Sequence, residues 1–293
     1  MLKVKTIGFA GVVLAAGVLS PAVLAQPTIT GTISLDQGAY SYDVGGEFTA
    51  VTTVTGGGSL LNPYSPMALE TGEGTGSGVA GVAQGFQTFC VQTSVEFSPA
   101  SSGYNNGTPY NFTTSLSSLD YVNGKEGSTD VENLTVGAAW LYEQFATGNL
   151  MNNYGYASSG STRLQDAGLL QAAIWALEGN QTYSDGNYVV PTTANNIFYS
   201  DALSEFQGSS TLGSPTDISN ADAPVTSANY STYNVEILNL STGTGNSLCS
   251  AQNQLVYLGD PPVPDGGATL ALLALSLAGL AAFGREVGTV QKV

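Results

Sequence analysis

The apolar positions of this chain follow two different periods. From Thr28 to Leu35 and from Glu47 to Val54, β-branched residues alternate with small polar ones, and Tyr, Asp and Gly fill the gap between the two runs. This is the pattern of strands in a half-buried sheet. The stretch from Phe86 to Phe97 alternates in the same way, with Phe89, Val91, Val95 and Phe97 on one face and Thr88, Cys90, Gln92 and Ser94 on the other. Cys90 therefore points away from the more apolar face of its own strand. Two further strands are predicted from Tyr230 to Leu240 and from Gln254 to Leu258. Between these β segments the period lengthens to that of a helix. Helices are predicted over about 130–147 and 163–178, opened by the capping-box pairs Thr129/Glu132 and Thr162/Gln165 and closed by Gly148 and Gly179. A third, less regular helix is predicted over about 194–206. The Gly-rich stretch 56–85 reads as a long surface loop. The fold class implied is mainly β, sandwich or barrel-like, with an inserted helical subdomain: an α+β chain without internal repeats.

The two ends carry different patterns. Lys3 and Lys5 precede an apolar run from Ile7 to Leu19, a Pro21 break and the small-residue sequence Val23-Leu24-Ala25. This is the layout of a signal peptide over residues 1–25, cleaved between Ala25 and Gln26. Residues 26–259 form the extracellular domain. A Pro/Gly linker, 260–267, leads into an apolar helix over 268–284 and a tail over 285–293. The uninterrupted apolar stretch, Ala268 to Phe283, would span ~24 Å against a hydrocarbon core of ~30 Å, which makes a short transmembrane helix.

Charge narrows the choice of partners. The chain has 22 acidic and 6 basic residues and a formal net charge of −16, and Lys125 and Arg163 are the only cations of the domain between the two ends. Nucleic acid and anionic lipid surfaces need clustered cations and are not expected partners. The chain has no His, which excludes His-based catalytic triads and removes a major metal ligand. No metal site or cofactor is expected, since no calcium-loop pattern occurs. Glu96, Asp120, Glu143, Asp166 and Glu178 could in principle supply a carboxylate pair, so a secreted carbohydrate-active hydrolase stands as one alternative. Trp140 and Trp175 read as core residues.

One polar residue falls where an apolar one is expected. On the second helix Leu164, Ala167, Gln171, Ile174 and Trp175 form a single stripe, so Gln171 lies on the face to be buried. Burying it requires that its amide be satisfied, most simply by a neighbouring strand. In an exported chain with two cysteines, the default use of Cys90 is a disulfide with Cys249. In the chain-entropy model that bridge would close a loop of about 160 residues and stabilise by ~5 kcal/mol.

Two resemblances bear on these residues. Val263-Pro264-Asp265-Gly266-Gly267, followed by a Leu/Ala-rich helix and Arg285, resembles the VPDSG-type variant of PEP-CTERM sorting tails, with Gly266 where Ser is usual. It implies processing by an exosortase-type enzyme, export to the cell surface, and membrane anchoring at least before processing. Phe89-Cys90-Val91, then Gly137-Ala138-Ala139-Trp140-Leu141, then Leu170-Gln171-Ala172-Ala173-Ile174-Trp175 resemble the ordered motifs of thioester domains in bacterial surface adhesins. Gln92 departs from that pattern, where an acidic residue or Asn is commoner. The resemblance implies an internal thioester with Cys90 as sulfur and Gln171 as acyl carbon, able to capture an amine-bearing partner covalently. Such a protein reacts once and is not an enzyme. The other expectation is a structural extracellular-matrix protein with no reactive bond.

Overall fold

The computed structural model describes residues 28–259 except 37–39, 43–44, 55–59, 61–62, 71–84, 94–108, 119, 123–124, 128–132, 158–160, 181–189 and 243–248. The signal peptide with Ala25 and Gln26, the sorting motif from Val263 to Gly267, the apolar C-terminal helix and Arg285 lie outside the described residues. Among the described residues no helix is long and apolar enough to cross a membrane.

In chain order the strands are β1 (Thr30–Asp36), β2 (Ser41–Tyr42), β3 (Gly45–Gly46), β4 (Phe48–Val54), β5 (Leu69–Glu70), β6 (Gly85–Thr88), β7 (Tyr110–Ser115), β8 (Asp120–Val122), β9 (Lys125–Gly127), β10 (Val235–Thr242), β11 (Cys249–Ser250) and β12 (Gln254–Tyr257). The main sheet is antiparallel, in the order β11-β10-β7-β1-β4-β6-β5, with β12 also paired to β10. β1 is central: Ile33 faces Thr52 of β4 on one edge and Tyr110 of β7 on the other. The alternation expected from sequence is present, because Ile33 and Leu35 are buried while Thr32 and Ser34 are only partly so.

The sheet is open along its ladders, and no second sheet packs face to face with it among the described residues, so the expected sandwich is not formed. Barrel character is confined to one isolated bridge, Cys90 to Gln254. Val91 N–H donates to Asn253 O at 3.0 Å and Leu255 N–H to Phe89 O at 3.0 Å. Through this bridge the continuation of β6 meets β12, and the ring β10, β7, β1, β4, β6, β12 closes at a single residue pair.

The helices are inserted between β9 and β10, as the change of period predicts. They are α1 (Val136–Ala146), α2 (Ser161–Leu177), α3 (Ile197–Glu205), α4 (Pro215–Ala221) and α5 (Tyr230–Tyr233). Gly148 and Gly179 do follow α1 and α2, with φ of 79° and 80°, the left-handed conformation in which a glycine pays no Cβ penalty. The starts differ from expectation. α1 is capped by Thr135, whose hydroxyl accepts from Ala138 N–H, and not by Thr129, which lies outside the described residues. α2 begins at Ser161, so Thr162 is helical and caps nothing. The predicted strand from Tyr230 opens instead with the single turn α5, which ends at Asn234 in the left-handed region with φ 52°, and only then does β10 begin. α4 escaped the periodicity because it is short, yet Ser214 and Asp217 form a full capping box there.

α1 covers the sheet through aromatic contacts. Phe89 meets Phe145 edge-on at 5.0 Å between ring centroids, and the Tyr142 hydroxyl donates to Gln87 O at 3.0 Å. α2 is tied down differently. Arg163 makes a two-pronged ion pair with Glu47, Nε to Oε1 at 2.8 Å and Nη2 to Oε2 at 2.7 Å, while Nη1 donates to Tyr156 O. Tyr154 donates a further hydrogen bond to the same carboxylate, and the Tyr40 ring lies 4.2 Å beneath the guanidinium carbon. Arg163 is thus no free surface cation.

Two stability measurements follow. Arg163→Met leaves the Glu47 carboxylate buried without its counter-charge, and the midpoint of urea unfolding should fall by the equivalent of about 3–5 kcal/mol. Asp222 caps the C-terminal end of α4, where burial pushes its carboxyl from 3.8 up to about 6. The unfolded chain releases that proton first, so stability should drop as pH rises between those two values. Asp222→Asn should flatten that drop and raise the melting temperature at pH 7.

Candidate functional site

The expected pair, Cys90 and Gln171, is brought together. Cys90 N–H donates to Gln171 Oε1 at 2.9 Å, and Gln171 Nε2 donates to Cys90 O at 2.8 Å. The reason lies in the strand ladders. β4 pairs with β6 only as far as Phe48 with Thr88, because the preceding residues turn away into the β2–β3 hairpin. In the bridge to Gln254, Phe89 O and Val91 N–H face β12, so the N–H and C=O of Cys90 face the opposite edge, the one that β4 has left. Gln171 fills that gap with a side-chain amide that presents a donor and an acceptor as a neighbouring strand would. Its own burial, at 1% exposure, is thereby satisfied.

The thiol has partners of its own. Cys90 is fully buried and carries a free thiol. Its Sγ donates to Gln252 Oε1 at 3.0 Å and accepts from Gln254 Nε2 at 3.2 Å. Gln254 is directly opposite Cys90 across the bridge and Gln252 is two residues back on the same face, the geometry in which cross-strand side chains meet. Gln252 Nε2 in turn donates to Gln92 O at 2.6 Å, so the residue that departs from the adhesin pattern contributes its backbone here.

The alternation predicted for this strand holds in part: Phe89 and Val91 join the main core, while Cys90 packs in a separate small cluster with Phe48 and Trp175. Both faces are nevertheless buried, because α2 and the β2–β3 hairpin cover the side on which Cys90 lies. At Gly45 a Cβ would fall 2.6 Å from Gln171 Cγ and 2.9 Å from Trp175 Cη2, so this hairpin can lie against α2 only with glycine there. Burial pushes the Cys90 thiol up to about 12, partly opposed by the Gln254 hydrogen bond, and the sulfur is held as a neutral thiol at physiological pH.

Two of the other candidate carboxylates are engaged with nearby backbone and hydroxyl groups. Asp166 accepts from Gly155 N–H, and Glu178 accepts from the N–H and hydroxyl of Thr135, so both carboxylates cap loops around α2. Glu96 lies outside the described residues. Sequence reasoning missed Gln252 and Gln254, although the signal was there: two glutamines in alternation at the head of an otherwise apolar strand.

Residues 262–285 match the VPDSG-CTERM motif. It is a sorting signal of exosortase substrates, and it marks the chain as exported and surface-associated. No curated protein and no solved structure matches the chain. The match begins three residues beyond Gly259, so β12, which opens with Gln254, is the last described element before the address.

Replacing Gln171 tests its bridging role apart from any chemistry. Gln171→Ala leaves two buried backbone groups of Cys90 without partners and should cost about 2–4 kcal/mol in urea unfolding. Gln171→Glu keeps an acceptor for the Cys90 N–H and should cost less.

Proposed function

We propose that this protein is a surface-displayed attachment module in which Cys90 and Gln171 close an internal thioester for one-time covalent capture of an amine-bearing partner. The observation that carries this reading is the direct contact of the Gln171 carboxamide with Cys90. The Cys90 N–H points at the carbonyl oxygen on which negative charge develops when sulfur attacks, the arrangement that stabilises acyl-transfer intermediates. Sulfur bonds to Cδ of Gln171, the C–N bond breaks, and the thiol proton leaves with the nitrogen as ammonia. The acyl oxygen retains its hydrogen bond from Cys90 N–H in the product. Capture reverses the roles: a partner's amine attacks the acyl carbon and the thiol is released. The chain turns over once and is no enzyme in the ordinary sense. Lys125 is the only side-chain amine of the domain between the two ends, which limits coupling between copies.

Intact mass decides the matter. The domain, purified without oxidant, should weigh about 17 Da less than its sequence, take up methylamine, and show neither property as Cys90→Ala. Full mass together with a thiol that titrates once the chain is unfolded would overturn the proposal. It would leave Gln171 as a backbone bridge in a structural matrix protein, the second reading that its two hydrogen bonds favour.

A further inference from the structure

The amide of Gln254 is only half used. Its Nε2 donates to Cys90 Sγ at 3.2 Å and to Gln252 O at 3.3 Å, whereas its Oε1 is buried and accepts no hydrogen bond from any described residue. Gln254 is 0% exposed, so water does not freely repay that loss. A buried carbonyl without a donor costs stability and is retained in native proteins where something else supplies the donor. The candidate must carry N–H or O–H, and the other end of the same amide is bonded to the sulfur of Cys90.

We infer that Gln254 is the nitrogen-receiving residue of the thioester site, its Nε2 holding the sulfur and its Oε1 accepting an N–H of the nitrogen that leaves or attacks at the acyl carbon. The inference rests on the thioester reading above. Formation expels ammonia from Gln171, and capture brings in a primary amine at the same carbon. The two steps are one exchange run in opposite directions, thiol plus amide on one side and thioester plus amine on the other, so one acceptor serves both. A primary amine suits it: after attack the nitrogen still carries N–H bonds, one of which Oε1 accepts while the other proton passes to the departing sulfur. Tertiary amines have no N–H to offer. Gln252, which accepts the thiol hydrogen, positions the sulfur from the same strand.

The experiment uses the exported domain with its thioester formed, established first by the mass loss in the wild type. Methylamine is the probe, followed by mass and compared with spontaneous hydrolysis in the same sample. Gln254→Met keeps the length of the side chain and removes the acceptor. It should slow methylamine uptake about tenfold relative to hydrolysis, the effect of losing one buried hydrogen bond in the transition state. Gln254→Glu restores an acceptor oxygen and should recover most of the ratio. An unchanged ratio of uptake to hydrolysis in Gln254→Met would overturn the assignment of Gln254 while leaving the thioester intact. A wild type of full mass would overturn both. If Gln254→Met does not fold, the wild type decides: uptake that saturates with methylamine concentration supports an amine-receiving group, and uptake that stays strictly linear overturns it.

Discussion

The arrangement of this domain follows from a backbone that must be hydrogen-bonded where its sheet runs out of strand. β4 stops serving β6 at Thr88, yet the chain continues buried through Cys90 and Val91 to meet β12. An unpaired N–H and C=O at Cys90 would cost more than most single contacts in the core can repay. The carboxamide of Gln171 supplies both partners, and to do so α2 must lie across the sheet edge at a fixed height and rotation. The β2–β3 hairpin, the Phe48–Trp175 packing around Cys90 and the glycine at position 45 all conform to that placement.

A single hydrogen-bonded side chain would let a helix pivot, and α2 has a second fastening. Arg163 and Gln171 are eight residues apart, about 12 Å along the helix and about 80° apart around its axis, so they project from one broad face. Arg163 grips Glu47 at the head of β4, and Gln171 grips the continuation of β6, its neighbour. Between them the helix is registered against two adjacent strands. A buried ion pair contributes little net stability over an apolar substitute, but its directional bonds define one docking geometry where apolar packing tolerates several. That is consistent with a charge-poor interior that keeps a fully buried Glu47.

What could be read from sequence divides along the same line. Periodicity located β1, β4, the β6 region, β10 and β12, and it placed α1 and α2 with their terminal glycines, because these features depend on neighbours within one or two turns. Gln171 stood out because a polar residue interrupted an apolar stripe. The ladders were not legible: whether the strands form a sandwich or an open sheet joined at one bridge depends on pairings between Cys90 and Gln254, 164 residues apart. Nor was α5, where Asn234 reverses the chain just before a strand whose sequence pattern begins five residues earlier, at Tyr230. Local propensity could not show that Gln252 and Gln254 reach the thiol, since the contact exists only once β12 is in register. Val263 to Gly267 were readable without any fold, as a sorting address is recognised from the chain itself.

The chemistry and the scaffold make compatible demands on the same atoms. A carboxamide held by its oxygen to an N–H and by its nitrogen to a C=O is a good substitute for a strand, and it is also an acyl group whose carbonyl is already polarised by a fixed donor. The neutral, desolvated thiol beside it serves either role: it resists oxidation and exchange as a core residue, and it avoids stabilising a thiolate that would make sulfur a better leaving group in any bond it formed. On the thioester reading proposed above, Gln254 is the second amide of the site, its buried Oε1 left without a donor among the described residues beside the cysteine.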